Sequence, residues 1–172
     1  MLIQSVDDFL PYFDRVRERT RRVVQIIPPD RLEWRPGDGR FSLGDLTRHV
    51  AATERWMWGE NVQGRASRYP GHGAELASGY GDVVAYFERM HEESMEIFSA
   101  LGPGDLQRKC PTPGGVELRT WKWLRAMVEH EIHHRGQMYM VLGALGVDGP
   151  PLYGLTEPQV LANSEAHPGL AT

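Results

Sequence analysis

His130 and His134 lie four residues apart in a stretch whose pattern predicts one long helix. Side chains at that spacing stack on one helix face, so both imidazoles can aim at a single point. Two such nitrogens are half of a tetrahedral divalent-metal site. Leu124, Met127, Met138, Val141 and Leu145 fall on the same face at helical spacing. A pair of stacked histidines within an apolar stripe needs a reason, and a metal ion supplies one. His133 offers a rival i,i+3 pair with His130. A third ligand has to come from another helix. His49, beside Leu46 and Val50 on the stripe of an earlier helix, is the best placed. His91, next to Met90 in mid-helix, reads as a core histidine satisfied by hydrogen bonds. His72 lies between glycines in a loop, and His167 lies in the C-terminal tail.

Three neutral imidazoles leave a metal its full charge and at least one open position, the pattern of a catalytic centre. A water there has its pKa lowered toward neutrality, and a thiol there loses its proton more readily. The ligands do not select the metal, and zinc, nickel, iron, copper and manganese all remain open. Gln137, seven residues after His130, is placed to line such a site or orient a substrate. Trp56 holds the matching position after His49. Glu131 is expected either to hydrogen-bond a ligand imidazole or to pair with Arg135 on the helix surface. Residues 130–134 also satisfy the H-E-x-x-H pattern of zinc proteases, with Glu131 as general base. Against this, no downstream histidine extends the motif, Glu157 is the only later glutamate with any claim, and no substrate-binding sheet is evident. Cys110 stands beside Lys109, which could activate a thiol, but an incidental cysteine is the simpler reading.

These residues are positioned by four predicted amphipathic helices. The first starts at Ser5, capped with Asp8, carries Phe9, Phe13, Val16, Val23 and Ile27, and stops at Pro28-Pro29. The second starts at Ser42 with Asp45 three residues on, carries Leu46, Val50, Thr53 and Met57, and ends between Gly59 and Gly64. Residues 65–81 read as a long loop. The third helix runs from about Asp82 to Leu101 and ends at Gly102-Pro103-Gly104. The segment 110–118 allows a short β-hairpin or plain loop. The fourth helix follows Thr120 and closes at Gly146, with a short fifth helix near Pro158 to Ala162 and a frayed tail over 163–172. The fold class is therefore all-α: a single-domain four-helix bundle, 1–172, with long loops.

Composition narrows the function. At 172 residues, 41% hydrophobic and 24% charged, the chain suits one soluble domain with a substantial core. A net charge of −4, with basic residues scattered among acids, gives no electrostatic footprint for nucleic acid. No apolar run is long enough for a membrane span, and the acidic N-terminus lacks signal-peptide character. One cysteine excludes a disulfide framework. A cytoplasmic protein is expected.

The segments Leu46-Thr47-Arg48-His49-Val50 and His130 to Gln137, with Pro-Pro-Leu-Tyr-Gly at 150–154, resemble the DinB-like family of damage-inducible metalloproteins. That group is separate from the DNA polymerase of the same name. The resemblance covers residues 5–162. It implies a four-helix bundle, usually dimeric, with a divalent metal on His49, His130 and His134 and with His133 outside the ligand set. Some of the wider group transfer or isomerise with small bacterial thiols such as bacillithiol and mycothiol, and many have no established activity. Two classes of function remain open: a metal-dependent thiol transferase or isomerase, and a non-catalytic stress-responsive module in which metal locks the bundle and the dimer acts.

Overall fold

Local capping starts each of the first two helices where the sequence predicts. Ser5 Oγ accepts the Asp8 backbone N–H at 3.1 Å and opens α1 (Val6–Val24). Ser42 Oγ accepts from Asp45 N–H at 3.0 Å while the Asp45 carboxylate accepts from Ser42 N–H at 2.9 Å, and this reciprocal box opens α2 (Leu43–Thr53). The computed structural model describes residues 3–166. Beyond α2 come α3 (Gly59–Val62), α4 (Tyr80–Ser99), α5 (Pro103–Gln107), the strands β1 (Lys109–Cys110) and β2 (Leu118–Arg119), α6 (Thr120–Ala144) and α7 (Glu157–Ala166). The strands pair antiparallel, with Cys110 opposite Leu118, so the hairpin forms. Around the bundle the helix order is α1, α6, α2, α4. The α1–α2 and α4–α6 connections therefore cross a diagonal of the bundle, which is why these loops are long.

Two boundaries differ from expectation. The Gly102-Pro103-Gly104 stretch does not merely end a helix. Gly102 N–H donates to Asp105 at 2.8 Å and Pro103 occupies the first turn of α5, where its missing N–H costs nothing. The C-terminal helix runs to Ala166, so residues 163–166 are its last turn rather than tail, and His167 with residues 168–172 lies outside the described residues.

The second helix ends at Val62, within the expected span between Gly59 and Gly64, but it is not α-helical throughout. Glu54–Trp58 form a π-turn, closed by Gly59 N–H on Glu54 C=O, and the helix continues through α3. The extra residue shifts the phase of everything after it. Met57, expected on the buried stripe, is only partly buried, and Trp58 at 3% exposure takes its place. Trp56 is turned away from the histidines and stacks against the guanidinium groups of Arg55 and Arg68, 4.2 and 4.8 Å from its ring.

The stripe of α6 is not apolar in its middle. Leu124, Met127, Met138 and Leu142 are core residues, but Glu131 and Arg135 sit between them at 2% and 3% exposure. They meet α1. Glu131 accepts from Thr20 Oγ1 at 2.6 Å and pairs with Arg17 at 3.2 Å. Arg135 donates to Val16 C=O and Thr20 Oγ1. Arg17 also pairs with Glu54 of the π-turn, and Glu54 holds His91 Nδ1 at 2.9 Å. Buried charges persist only when paired in this way. This polar layer separates two apolar clusters, one around Phe9, Phe13, Phe98 and Leu124, the other around Val23, Leu46, Phe87 and Met138.

Candidate metal centre

His49 on α2 and His130 and His134 on α6 face one another across the α2–α6 contact. His130 Nε2 lies 3.1 Å from His49 Nε2 and 3.1 Å from His134 Nε2. One ligand atom from each of the three falls within 4.8 Å of the others. Metal–nitrogen bonds of about 2.0–2.1 Å in a tetrahedral site place neighbouring nitrogens about 3.3 Å apart, so the observed spacing is that of a metal cradle.

Outer partners set the tautomers. Gln137 Oε1 accepts from His134 Nδ1 at 2.7 Å. The Tyr69 hydroxyl lies 2.7 Å from His49 Nδ1 and 3.2 Å from His72 Nδ1. Accepting from His49 and donating to His72 satisfies both contacts with one phenolic proton. His134 and His49 are then left with bare Nε2 lone pairs aimed at the centre. Burial holds these rings neutral. It pushes the His49 pKa down to about 4, with His134 and His72 adding to the effect. It pushes His130 down to about 3, reinforced by the neighbouring histidines. It also lowers His134, against the Gln137 hydrogen bond. Lone pairs converging in a partly desolvated site repel one another, and a cation is what resolves that repulsion. The three imidazoles thus fit a divalent metal.

Arg48, one residue before His49 and 1% exposed, builds the surroundings. Its guanidinium donates to the carbonyls of His72 at 2.8 Å and Ala77 at 3.1 Å and pairs with Glu33 and Asp45. One side chain therefore pins both the 25–42 and 65–79 connections to α2 and brings Tyr69 against His49. On the other side, the Trp58 ring packs 4.9 Å from His130 and donates Nε1–H to Trp123 C=O at 2.9 Å.

Other candidates sit as follows. Glu131 neither touches a ligand imidazole nor pairs with Arg135 on the surface. One step further round α6 points it into the bundle, where Arg17 and Thr20 consume its carboxylate. The same fact removes the general base that the H-E-x-x-H reading requires. Trp56 does not line the site, because the π-turn rotates it away. Gln137 does line it. His133 is exposed at its edge, outside the three-histidine group. His91 is buried, with its pKa lowered to about 2 by burial and by Arg17. Cys110 is fully buried and burial raises its pKa, the opposite of an activated thiol. Tyr69 and Trp58 had no signal in the sequence. One lies in an irregular loop, and the other is displaced by a π-turn. A pocket of about 550 Å³ opens on His134 and Gln137.

The DinB superfamily profile matches residues 12–138. The chain belongs to the DinB superfamily. The uncharacterised protein YjoA of Bacillus subtilis is 22% identical over 152 residues, covering 87% of this chain and 94% of its own. Solved structures share this fold. A DinB-like protein from Bacillus cereus has a TM-score of 0.70 at 19% identity, covering 87% of this chain and 99% of that one. YjoA has a TM-score of 0.69 at 20% identity, with coverages of 83% and 96%. YfiT of B. subtilis, a probable metal-dependent hydrolase with an unusual four-helix bundle topology, has a TM-score of 0.67 at 14% identity, with coverages of 86% and 91%. No helix among the described residues is long and apolar enough to cross a membrane.

Proposed function

We propose that this DinB-superfamily chain is a divalent-metal-dependent enzyme that activates a small thiol for transfer or isomerisation. The observation that carries it is the pocket of about 550 Å³ that reaches His134 itself. A purely structural metal is normally closed off by four protein ligands. Here three imidazoles converge and one of them, His134, borders open space.

His49, His130 and His134 would hold the ion. An all-imidazole set suits zinc, nickel or iron better than manganese, which prefers carboxylate oxygens. When bound, the ion supplies Lewis acidity that lowers the pKa of a thiol or water at its open position. Gln137 and Tyr69 fix the rings, and Phe41 packs 5.7 Å from the His49 ring. A second reading is supported by YfiT, a probable metal-dependent hydrolase: the same site would then activate water. The test is to incubate zinc-loaded protein with small bacterial thiols and electrophiles, and separately with amide and ester substrates, with His134→Ala as control. Metal-dependent consumption of thiol supports transfer. Metal-dependent hydrolysis without thiol use supports the second reading, and no turnover of either kind supports a non-catalytic module. We further propose a cytoplasmic homodimer, in line with the family resemblance. Light scattering at micromolar concentration should give twice the 19.5 kDa chain mass, and a single-chain mass would contradict it.

A further inference from the structure

The pocket beside His134 is short of negative charge. Its apolar wall includes Phe41, Leu46, Met140 and Val141, and no Asp or Glu lines it. Of its polar groups, His134 belongs to the metal cradle, Gln137 is committed to His134, and His133 is an exposed imidazole at the rim. Arg40 is different. Its backbone is held at both ends, by Arg40 N–H on Gly37 C=O at 3.2 Å and by Arg35 on Arg40 C=O at 2.7 Å. The guanidinium is therefore presented from a fixed base. Arg35, on the same loop, is paired with Asp45, and Arg31 with Asp30. Among the described residues Arg40 has no ion-pair partner, and it lines the pocket. Three neutral imidazoles would leave a bound divalent ion equally uncompensated.

We propose that this pocket takes a small organic anion with an apolar body. Its terminal carboxylate or similar anionic group would be held by Arg40, its chain would lie along Leu46, Met140 and Val141, and its other end would reach the histidine centre. Arginine's planar fork suits bidentate capture of such a group. Met140, 77% exposed, supplies the adaptable apolar surface that a bound chain would cover. A volume of about 550 Å³ holds a chain of several carbons with room for both ends. The inference rests on the thiol-activation reading only in taking the reacting end to be a thiol.

The test is titration calorimetry on zinc-loaded protein, wild type and Arg40→Gln, with four probes: ω-mercaptohexanoate, ω-mercaptohexanol, hexanoate and hexanol. Arg40 is exposed, so its replacement should leave the fold intact. In the wild type each carboxylate should bind about five- to tenfold more tightly than its alcohol, between the worth of a surface ion pair and that of a charge-assisted hydrogen bond. In Arg40→Gln the ratio should fall several-fold, any remaining preference coming from the pull of the zinc ion on the carboxylate. A ratio near one in the wild type overturns the proposal, as does a ratio unchanged by Arg40→Gln. If both thiols bind no better than their thiol-free analogues while the carboxylate preference and its loss in Arg40→Gln persist, the anion site stands and thiol activation fails.

Discussion

Replacing Glu131 by alanine should cost stability without costing metal. The carboxylate is one of two that neutralise Arg17, which is 0% exposed. It is also the acceptor for the Thr20 hydroxyl at 2.6 Å. Removing it leaves a buried guanidinium with Glu54 alone, and breaking a buried ion pair costs about 3–5 kcal/mol. Thr20 keeps a longer bond to Val16 C=O at 3.4 Å, so little is added for its hydroxyl. Glu131→Gln retains an oxygen for Thr20 and loses only the charge, so its loss should be smaller, about 1–3 kcal/mol. Against a total of about 5–15 kcal/mol for such a domain, the alanine loss is large and easily measured. Urea unfolding followed by far-ultraviolet circular dichroism should show the same loss in metal-free and zinc-loaded protein, because the network lies on the α1 side of α6 and the ligands face α2. A loss below about 1 kcal/mol would refute the claim that this layer holds α6 in place. Loss of metal at unchanged stability would place Glu131 at the metal centre instead of in this layer.

Two further predictions concern the centre. Tyr69→Phe and Gln137→Ala should each weaken metal affinity about 10- to 100-fold by competition with a chelator, with metal-free stability nearly unchanged; unaltered affinity would show that the rings are oriented by packing alone. The lowered pKa values of His49 and His130, about 4 and about 3, give a pH dependence of definite sign. Below about pH 6.5 the unfolded chain binds protons that the folded protein refuses, so metal-free stability should be level above that pH and fall as pH drops toward 4. Bound metal should delay the fall, and a urea midpoint flat across that range would contradict it.

The starts of the first two helices were legible because capping is local chemistry: Ser42 and Asp45 satisfy each other whatever lies elsewhere. The pair His130 and His134 was legible because i,i+4 geometry is fixed by the helix. The role of Glu131 was not, because its neighbours Arg17 and Thr20 belong to another helix and nothing in the α6 sequence distinguishes a core-facing carboxylate from an exposed one. Trp56 was misplaced for a related reason. A seven-residue spacing keeps one face only in an unbroken α-helix, and the π-turn at Glu54–Trp58 is stabilised by the tertiary contacts of Glu54 and Trp58. Tyr69 reaches His49 only because Arg48 anchors the loop, a dependence that sequence spacing does not encode.

The most direct test is metal content. Wild-type protein and the His49→Ala, His130→Ala and His134→Ala variants should be purified in parallel, checked for folding by circular dichroism and assayed by elemental analysis. One equivalent of a divalent metal per wild-type chain, with most of it lost in each folded variant, is the predicted result. Full metal retention by His49→Ala, or no metal in the wild type even after loading with zinc, nickel or iron, would contradict the three-histidine centre.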